Sequence, residues 1–418
     1  MRQPDQVSAT TDRSDRDLRT RMRLLGVLFL SAALNRTGFI AVFTVTALAA
    51  EEILGSARWS GLAAAMGTLG LAAGTTPLAA LMACKGRRLG IVVGLTVAVF
   101  GAGIAAYGVR NSSFLVLLAG MWIFGFGNSG DRLGRYAAAD IAPVSMRSSA
   151  IAAIVWAGTI GSVVGPILLP IGTRIVEPFG FREYGGGYLM GGVMAALAAV
   201  IVYLALRPDP LQFAEVMDGG TRSESAPLGA TLKLPIVRYV ISALVVGQVV
   251  MVLIMTMTPV HIRGAGESIA LVGSVIGVHT FGMFFFSPIS GFLADRFGKA
   301  RVIVAGQAML IAATLLAAPA SGDNRTLLLP ALFLLGLGWN FGFVAGSSMI
   351  TDAAEGPARV RLQGVVDTVT FVSAAAASVL SGILLDTLDY SGLSLFAGSM
   401  VLFPLALRYR YRDRLRRL

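Results

Sequence analysis

The chain has 418 residues, of which 55% are apolar and only 14% charged, and its mean hydropathy of +0.75 excludes an ordinary soluble domain, where about a quarter of residues are charged. A net charge of +11 would suggest a nucleic-acid partner on a soluble chain, but here the charges fall between long apolar runs, so no nucleic acid is expected. One cysteine, Cys84, excludes a disulfide framework and any cysteine-rich zinc site.

Residues 1–23 are polar, alternate Arg with Asp and lack the apolar stretch of a secretory signal. Apolar runs of about 20 residues then recur along the chain, each long enough to span a bilayer. They predict helices over 24–50, 59–83, 89–109, 114–139, 148–172 and 188–206, then over 237–260, 269–293, 301–319, 327–350, 362–386 and 392–407. The polar stretch between the sixes reads as a linker. The expected organisation is a terminal segment 1–23, a six-helix bundle 24–206, a linker 207–236, a second bundle 237–407 and a basic tail 408–418. Lys and Arg resist translocation, and with both termini inside the inner loops hold 25 of them against 6 outside. Both termini and the linker are therefore expected to be cytoplasmic. The tail, with its arginines from Arg408 to Arg417, is expected to rest on anionic lipid.

The chain repeats itself at an offset of 211, which lays Gly55 on Gly266, Pro77 on Pro288, Lys85 on Arg296, Gly125 on Gly336 and Gly127 on Gly338. An even number of spans separates the copies, so the repeats are parallel, and proteins built this way bind substrate between the halves near mid-membrane.

The segment between the eighth and ninth helices carries Gly291, Asp295, Arg296, Gly298, Lys299 and Arg301 in the spacing Gly-x-x-x-Asp-Arg-x-Gly-Lys. It resembles the gating loop of the major facilitator superfamily. The resemblance implies twelve transmembrane helices in an all-α fold and secondary transport by alternating access. It also implies that Asp295 sits against the start of helix 5, near Arg147, Ser148 and Ser149. In the first repeat the matching stretch Ala80–Arg88 keeps its basic residues but places Cys84 where the carboxylate belongs, and Cys84 reads as a small buried residue. Helix 5 holds Gly158, Gly161, Gly165 and Pro166, similar to the superfamily's antiporter motif, although such spaced glycines also pack membrane helices generally. Gly125-x-Gly127-x-x-Gly130 matches a dinucleotide fingerprint by spacing alone and is rejected, because it lies inside an apolar span.

Ionisable residues inside spans are costly and carry function by default. The coupling candidates are His279, Asp131, Arg36, Asp367 and Arg135, with His279 expected at mid-depth facing the central cavity in one polar network with Asp131, Arg36 and Asp367, and a neutral imidazole that only hydrogen-bonds a neighbouring helix as the alternative for His279. The family often has an acid in helix 1 and an arginine in helix 4, whereas this chain reverses them as Arg36 and Asp131. A pair between Asp131 and Arg135 on one helix face is the plainer alternative for those residues. Asn35, Asn128, Asn340 and Trp339 are candidates to line the substrate cavity, with interhelical hydrogen bonding as the alternative for Asn340.

The leading reading is a monomeric, proton-coupled exporter of a small organic molecule in the inner membrane, needing no cofactor or metal. Proton-coupled uptake of a metabolite is the alternative. A membrane enzyme would need a convergent nucleophile or metal cluster, yet His261 and His279 are too far apart for one, and the Asp12/Asp15 and Asp386/Asp389 pairs read as solvated charges. A non-transporting receptor is the remaining class.

Overall fold

The computed structural model describes residues 4–55, 61–179, 184–217 and 228–411. Among the described residues fifteen α-helices follow one another: α1 (Pro4–Leu54), α2 (Gly61–Lys85), α3 (Arg87–Arg110), α4 (Phe114–Ile141), α5 (Arg147–Val176), α6 (Gly185–Ala205), α7 (Pro210–Met217), α8 (Leu228–Leu232), α9 (Pro235–Gly264), α10 (Ile269–Phe284), α11 (Ser287–Phe297), α12 (Lys299–Ala317), α13 (Arg325–Asp352), α14 (Gly356–Met400) and α15 (Leu402–Arg410). In a bilayer every backbone group must be bonded within its own segment, and helices of Ala, Leu, Val and Gly achieve this without exposing polar side chains.

Eleven helical stretches among the described residues are long and apolar enough to cross a membrane. The last, Gly356–Arg410, has 55 residues and would extend about 80 Å if straight, against about 30 Å of hydrocarbon. It turns back at Asp389, whose backbone adopts φ 56° and whose Oδ1 accepts from Gly392 N at 2.8 Å, capping the returning helix. Counted as two, it gives twelve crossings among the described residues. Asp389, read from the sequence as a merely solvated charge, is thus a helix cap.

Three boundaries differ from the sequence reading. α1 starts at Pro4, far ahead of its apolar run, because its polar start supports i,i+4 pairs such as Arg21–Asp17 at 2.9 Å, and Arg21 also donates to Ile141 O at 2.6 Å. The eighth span breaks into α10 and α11 just ahead of Pro288, whose ring cannot continue the hydrogen-bond ladder. The expected linker holds α7 and α8, while its 218–227 portion and residues 412–418 of the basic tail lie outside the described residues.

The repeat is visible in how glycines seat the helices. A Cβ on Gly125 would lie 1.8 Å from Gly67 O of α2, and one on Gly336 would lie 2.2 Å from His279 O of α10. Likewise Gly127 meets α3 at Ala98 N (2.2 Å) and Gly338 meets α12 at Gly306 O (2.8 Å). So α4 rests on α2 and α3 as α13 rests on α10 and α12, backbone against backbone. One buried apolar cluster runs from Leu24 to Leu211 and also takes in Val360. Two more draw on residues between Val237 and Val401. A small one, Ala139, Ile151, Ala152 and Val155 with Val344, bridges the first six spans and the last six.

Candidate functional site

The charged stretch of α4 lies where the two sets of spans meet. Arg36 of α1 donates to Val155 O at 3.0 Å, and its Nε stands 3.7 Å from Asp131 Oδ2, both side chains being buried. Asn35 donates to Asn128 Oδ1 at 2.9 Å, and Asn128 donates back to Phe124 O at 2.8 Å. One helical turn further, Arg135 crosses to the other set. Its Nη2 donates to Asp367 Oδ1 of α14 at 2.5 Å, its Nε to Ser347 Oγ of α13 at 3.2 Å, and its Nη1 to Arg132 O at 2.6 Å. Tyr136 OH, which accepts from Arg135 at 2.9 Å, donates to the same Asp367 oxygen at 3.1 Å. The guanidinium also lies over the rings of Tyr136 (4.2 Å) and Phe343 (4.5 Å). Asp131 therefore pairs with Arg36, and the alternative pair with Arg135 does not form because Asp367 holds that guanidinium.

The helix-5 glycines bring α5 against this site. A Cβ on Gly161 would sit 2.9 Å from the Arg36 carbonyl carbon, one on Gly165 2.9 Å from Thr37 O, and one on Gly158 2.8 Å from the Phe284 ring. Pro166 continues within the same helix. Gly158, Gly161 and Gly165 thus wedge α5 between α1 and α10, and the close approach of Gly161 is what brings Val155 O within reach of Arg36.

The second site is the end of the bundle that carries the connections 141–147, 297–299 and 352–356. Asp295 caps α5 across the junction, accepting from Ser148 N at 3.0 Å, Ser149 N at 2.8 Å and Ser149 Oγ at 2.6 Å. Gly291 permits this, since a Cβ there would lie 2.5 Å from that of Ala152. Arg147 bonds Asp352 at 2.9 Å, Lys299 bonds the other oxygen of Asp352, and Ser148 Oγ meets Ser348 Oγ at 2.9 Å. Gly298 makes the α11–α12 turn at φ 95°, open to glycine alone without strain. Arg301 donates to Phe297 O at the end of α11, and Arg296 lies over the rings of Phe292 and Phe297.

The equivalent loop of the first repeat is built differently. Gly86 turns at φ 94°, matching Gly298 at φ 95°, so the geometry aligns the two loops at an offset of 212. Ala83, not Cys84, then occupies the carboxylate position, and Cys84 is exposed rather than buried. A residue from outside the motif supplies the missing cap: Asp209, after α6, accepts from Arg87 N at 3.1 Å and Arg88 N at 2.9 Å at the start of α3. Arg87 itself, fully buried, bonds Asp140 at 2.7 Å and Gln363 of α14 at 2.7 Å. Sequence reading did not single out Tyr136, Asp140, Asp209, Asp352 or Gln363. Gln363 could have been found, since it stands one turn before Asp367 on the same face.

At two positions the helix-packing alternative is the one realised. His279 is not part of the charged network. Its ring is fully buried where Gly336 draws α13 onto α10, with Nδ1 3.0 Å from Leu332 O and no bond from Nε2 to any described group. His279→Gln should leave the pH profile of transport unchanged in a solute-flux assay, and a shifted profile would restore His279 as a coupling residue. Asn340 is fully buried, donating to Met283 O and Ser287 Oγ at 2.7 Å each and accepting from Ser290 at 2.7 Å, so it fastens α13 to α10 and α11. Trp339 donates to Gln248 Oε1 at 2.8 Å and stacks on Phe343 at 4.6 Å.

Comparison with known proteins agrees with this architecture. The sequence profile of the Major Facilitator Superfamily matches residues 28–277 and 265–417. The uncharacterized MFS-type transporter YdeG of Bacillus subtilis is 34% identical, over 93% of this chain and 92% of its own length. The riboflavin transporter RfnT of Brucella anthropi is 30% identical, over 93% of this chain and 96% of its own. Among solved structures, the proton:xylose symporter XylE superposes with a TM-score of 0.78 at 12% identity, over 94% of this chain and 96% of the other. The human organic anion transporter MFSD10 superposes with a TM-score of 0.72 at 15% identity, over 93% and 99%. With twelve crossings, an internal parallel repeat and a profile match along nearly its whole length, this multi-pass membrane chain is no enzyme but a transporter that belongs to the major facilitator superfamily.

Proposed function

We propose that the protein is a proton-coupled exporter in the inner membrane, a monomer with both termini cytoplasmic, whose two six-span sets (24–206 and 237–407) rock about a central substrate site. One observation carries the coupling: Asp367 and Arg135 form a buried ion pair between α14 and α4, one helix from each set. A proton on Asp367 removes its charge and frees Arg135, so the closure at that end depends on proton occupancy. The Lys and Arg distribution supports assigning the Asp295 end to the cytoplasm. Closure there leaves the substrate site to open toward the opposite face. The 30% identity to a riboflavin transporter supports a flat, hydrogen-bonding heterocycle as the first solute to try.

The test is reconstitution into liposomes holding a pH-sensitive dye, with riboflavin and other small aromatic solutes added under an imposed proton gradient. Export by antiport predicts that solute and protons move in opposite directions. Movement in the same direction would replace it with uptake by symport, and solute flux without proton movement would remove the coupling role of Asp367.

A further inference from the structure

Arg132 is the one guanidinium of the α4 stretch that the protein leaves unspent. Arg36 is held by Val155 O and Asp131, and Arg135 by Asp367, Ser347 and Tyr136. Arg132, partly exposed, lies over the Phe39 ring at 4.9 Å. Among the described residues its side chain makes no hydrogen bond and has no carboxylate at ion-pair distance. On α4 it stands between Asp131, paired with Arg36 of α1, and Arg135, paired with Asp367 of α14, and so at the junction of the two sets of spans. Two ion pairs and Arg132 make three guanidiniums against two carboxylates, one positive charge in excess. An uncompensated charge at membrane depth is costly and is retained where a counter-charge or water arrives.

Aromatic rings stand against the α4 arginines from two helices: Phe39 of α1 under Arg132 and Phe343 of α13 at Arg135, both partly exposed. On the α1 side Phe39 stacks on Phe43 at 4.3 Å, and on the α13 side Phe343 stacks on Trp339 at 4.6 Å. A guanidinium offers a planar fork of donors to an anionic group while its face stays on a ring, a combination a lysine cannot reproduce.

Resting on the transport reading above, we infer that Arg132, laid over Phe39, is the anchoring group for the transported solute, and that this solute is an organic anion on an aromatic skeleton. The negative group meets the fork of Arg132 and balances the excess charge, and the solute's ring lies among the aromatic side chains. The plainer account, in which Arg132 is only stacked on Phe39 and hydrated, predicts no discrimination between charged and neutral solutes.

Equilibrium dialysis on the purified full chain separates the two, using pairs that differ in charge: flavin mononucleotide with riboflavin, 4-aminobenzoate with 4-aminobenzamide, and salicylate with salicylamide. At least one anion should bind about tenfold more tightly than its neutral partner. Arg132→Gln should lower that anion's affinity about tenfold and leave the neutral partner's unchanged, and Arg132→Lys should recover part of the loss. Arg132 makes no hydrogen bond or ion pair between helices and touches α1 only through the Phe39 ring, so the variants should stay folded, which a cooperative thermal-unfolding transition checks. The inference is overturned if no anion binds, if neutral partners bind as well in every pair, or if Arg132→Gln keeps the preference. Proton-coupled flux without anion preference would overturn this inference alone. Anion binding through Arg132 without flux would instead remove the transport reading.

Discussion

Asp367→Asn should abolish uphill transport and lower the melting temperature more than any other single change at the α4 site. The carboxylate receives Arg135 Nη2 at 2.5 Å and Tyr136 OH at 3.1 Å, and the Arg135 side chain is 1% exposed. Losing one partner of a buried ion pair costs about 3–5 kcal/mol, chiefly because the other charge stays behind uncompensated. Arg135 has no free carboxylate to turn to, since it packs against the rings of Tyr136 and Phe343 and Asp131 is occupied with Arg36. A double variant, Arg135→Gln with Asp367→Asn, removes both charges and should recover most of the lost stability. It should still fail to concentrate solute, because no group remains there to exchange a proton, while downhill exchange persists. A double variant that concentrates solute like the wild type would move the coupling to Asp131, the other buried carboxylate of the cluster.

What could be read from the sequence, and what could not, divides along physical lines. Span positions follow from apolar runs, which the bilayer imposes on any helix, and all twelve expected crossings are present. The contact of Asp295 with Ser148 and Ser149 was legible through the motif, because the motif encodes a fixed backbone geometry at Gly291 and Gly298. For Asp131 the sequence left two partners open, Arg36 in the shared polar network and Arg135 on the same helix, and only the structure chooses Arg36. Side-chain destinations set by rotation about the helix axis were not legible. His279 has the depth expected of a coupling residue, but Gly336, 57 residues away in sequence, turns that face of α10 into a helix contact. Cys84 was assigned to the wrong slot because a constant offset misses the one-residue shift that places Gly86 at φ 94°. Asp209 was invisible for a related reason: a cap drawn from beyond α6 leaves no local signature at the α2–α3 loop.

The Asp295 cap leads to the second large effect, on which face of the protein is open. The start of α5 gives its free Ser148 and Ser149 N–H groups to one carboxylate, with Ser149 Oγ as a third donor. A carboxylate at a partly buried helix N-terminus contributes up to about 2 kcal/mol, and here that interaction exists only while α11 and α5 stay together. Asp295→Asn keeps an acceptor oxygen but removes the charge, so it should shift the population toward the state open at this end by as much as about thirtyfold. Ser348 reports the change, being fully buried against Ser148 at the same junction. In a Cys84→Ser background, necessary because Cys84 is itself exposed, a Ser348→Cys reporter should react slowly with a water-soluble maleimide and much faster once Asp295→Asn is added. Asp352→Asn should act in the same direction but more weakly, since Asp352 is 32% exposed and its pairs with Arg147 and Lys299 are screened by water. Equal labelling rates with and without Asp295→Asn, in protein that elutes and melts like the parent, would mean that helix packing around Gly291 holds this end shut and that the carboxylate is dispensable.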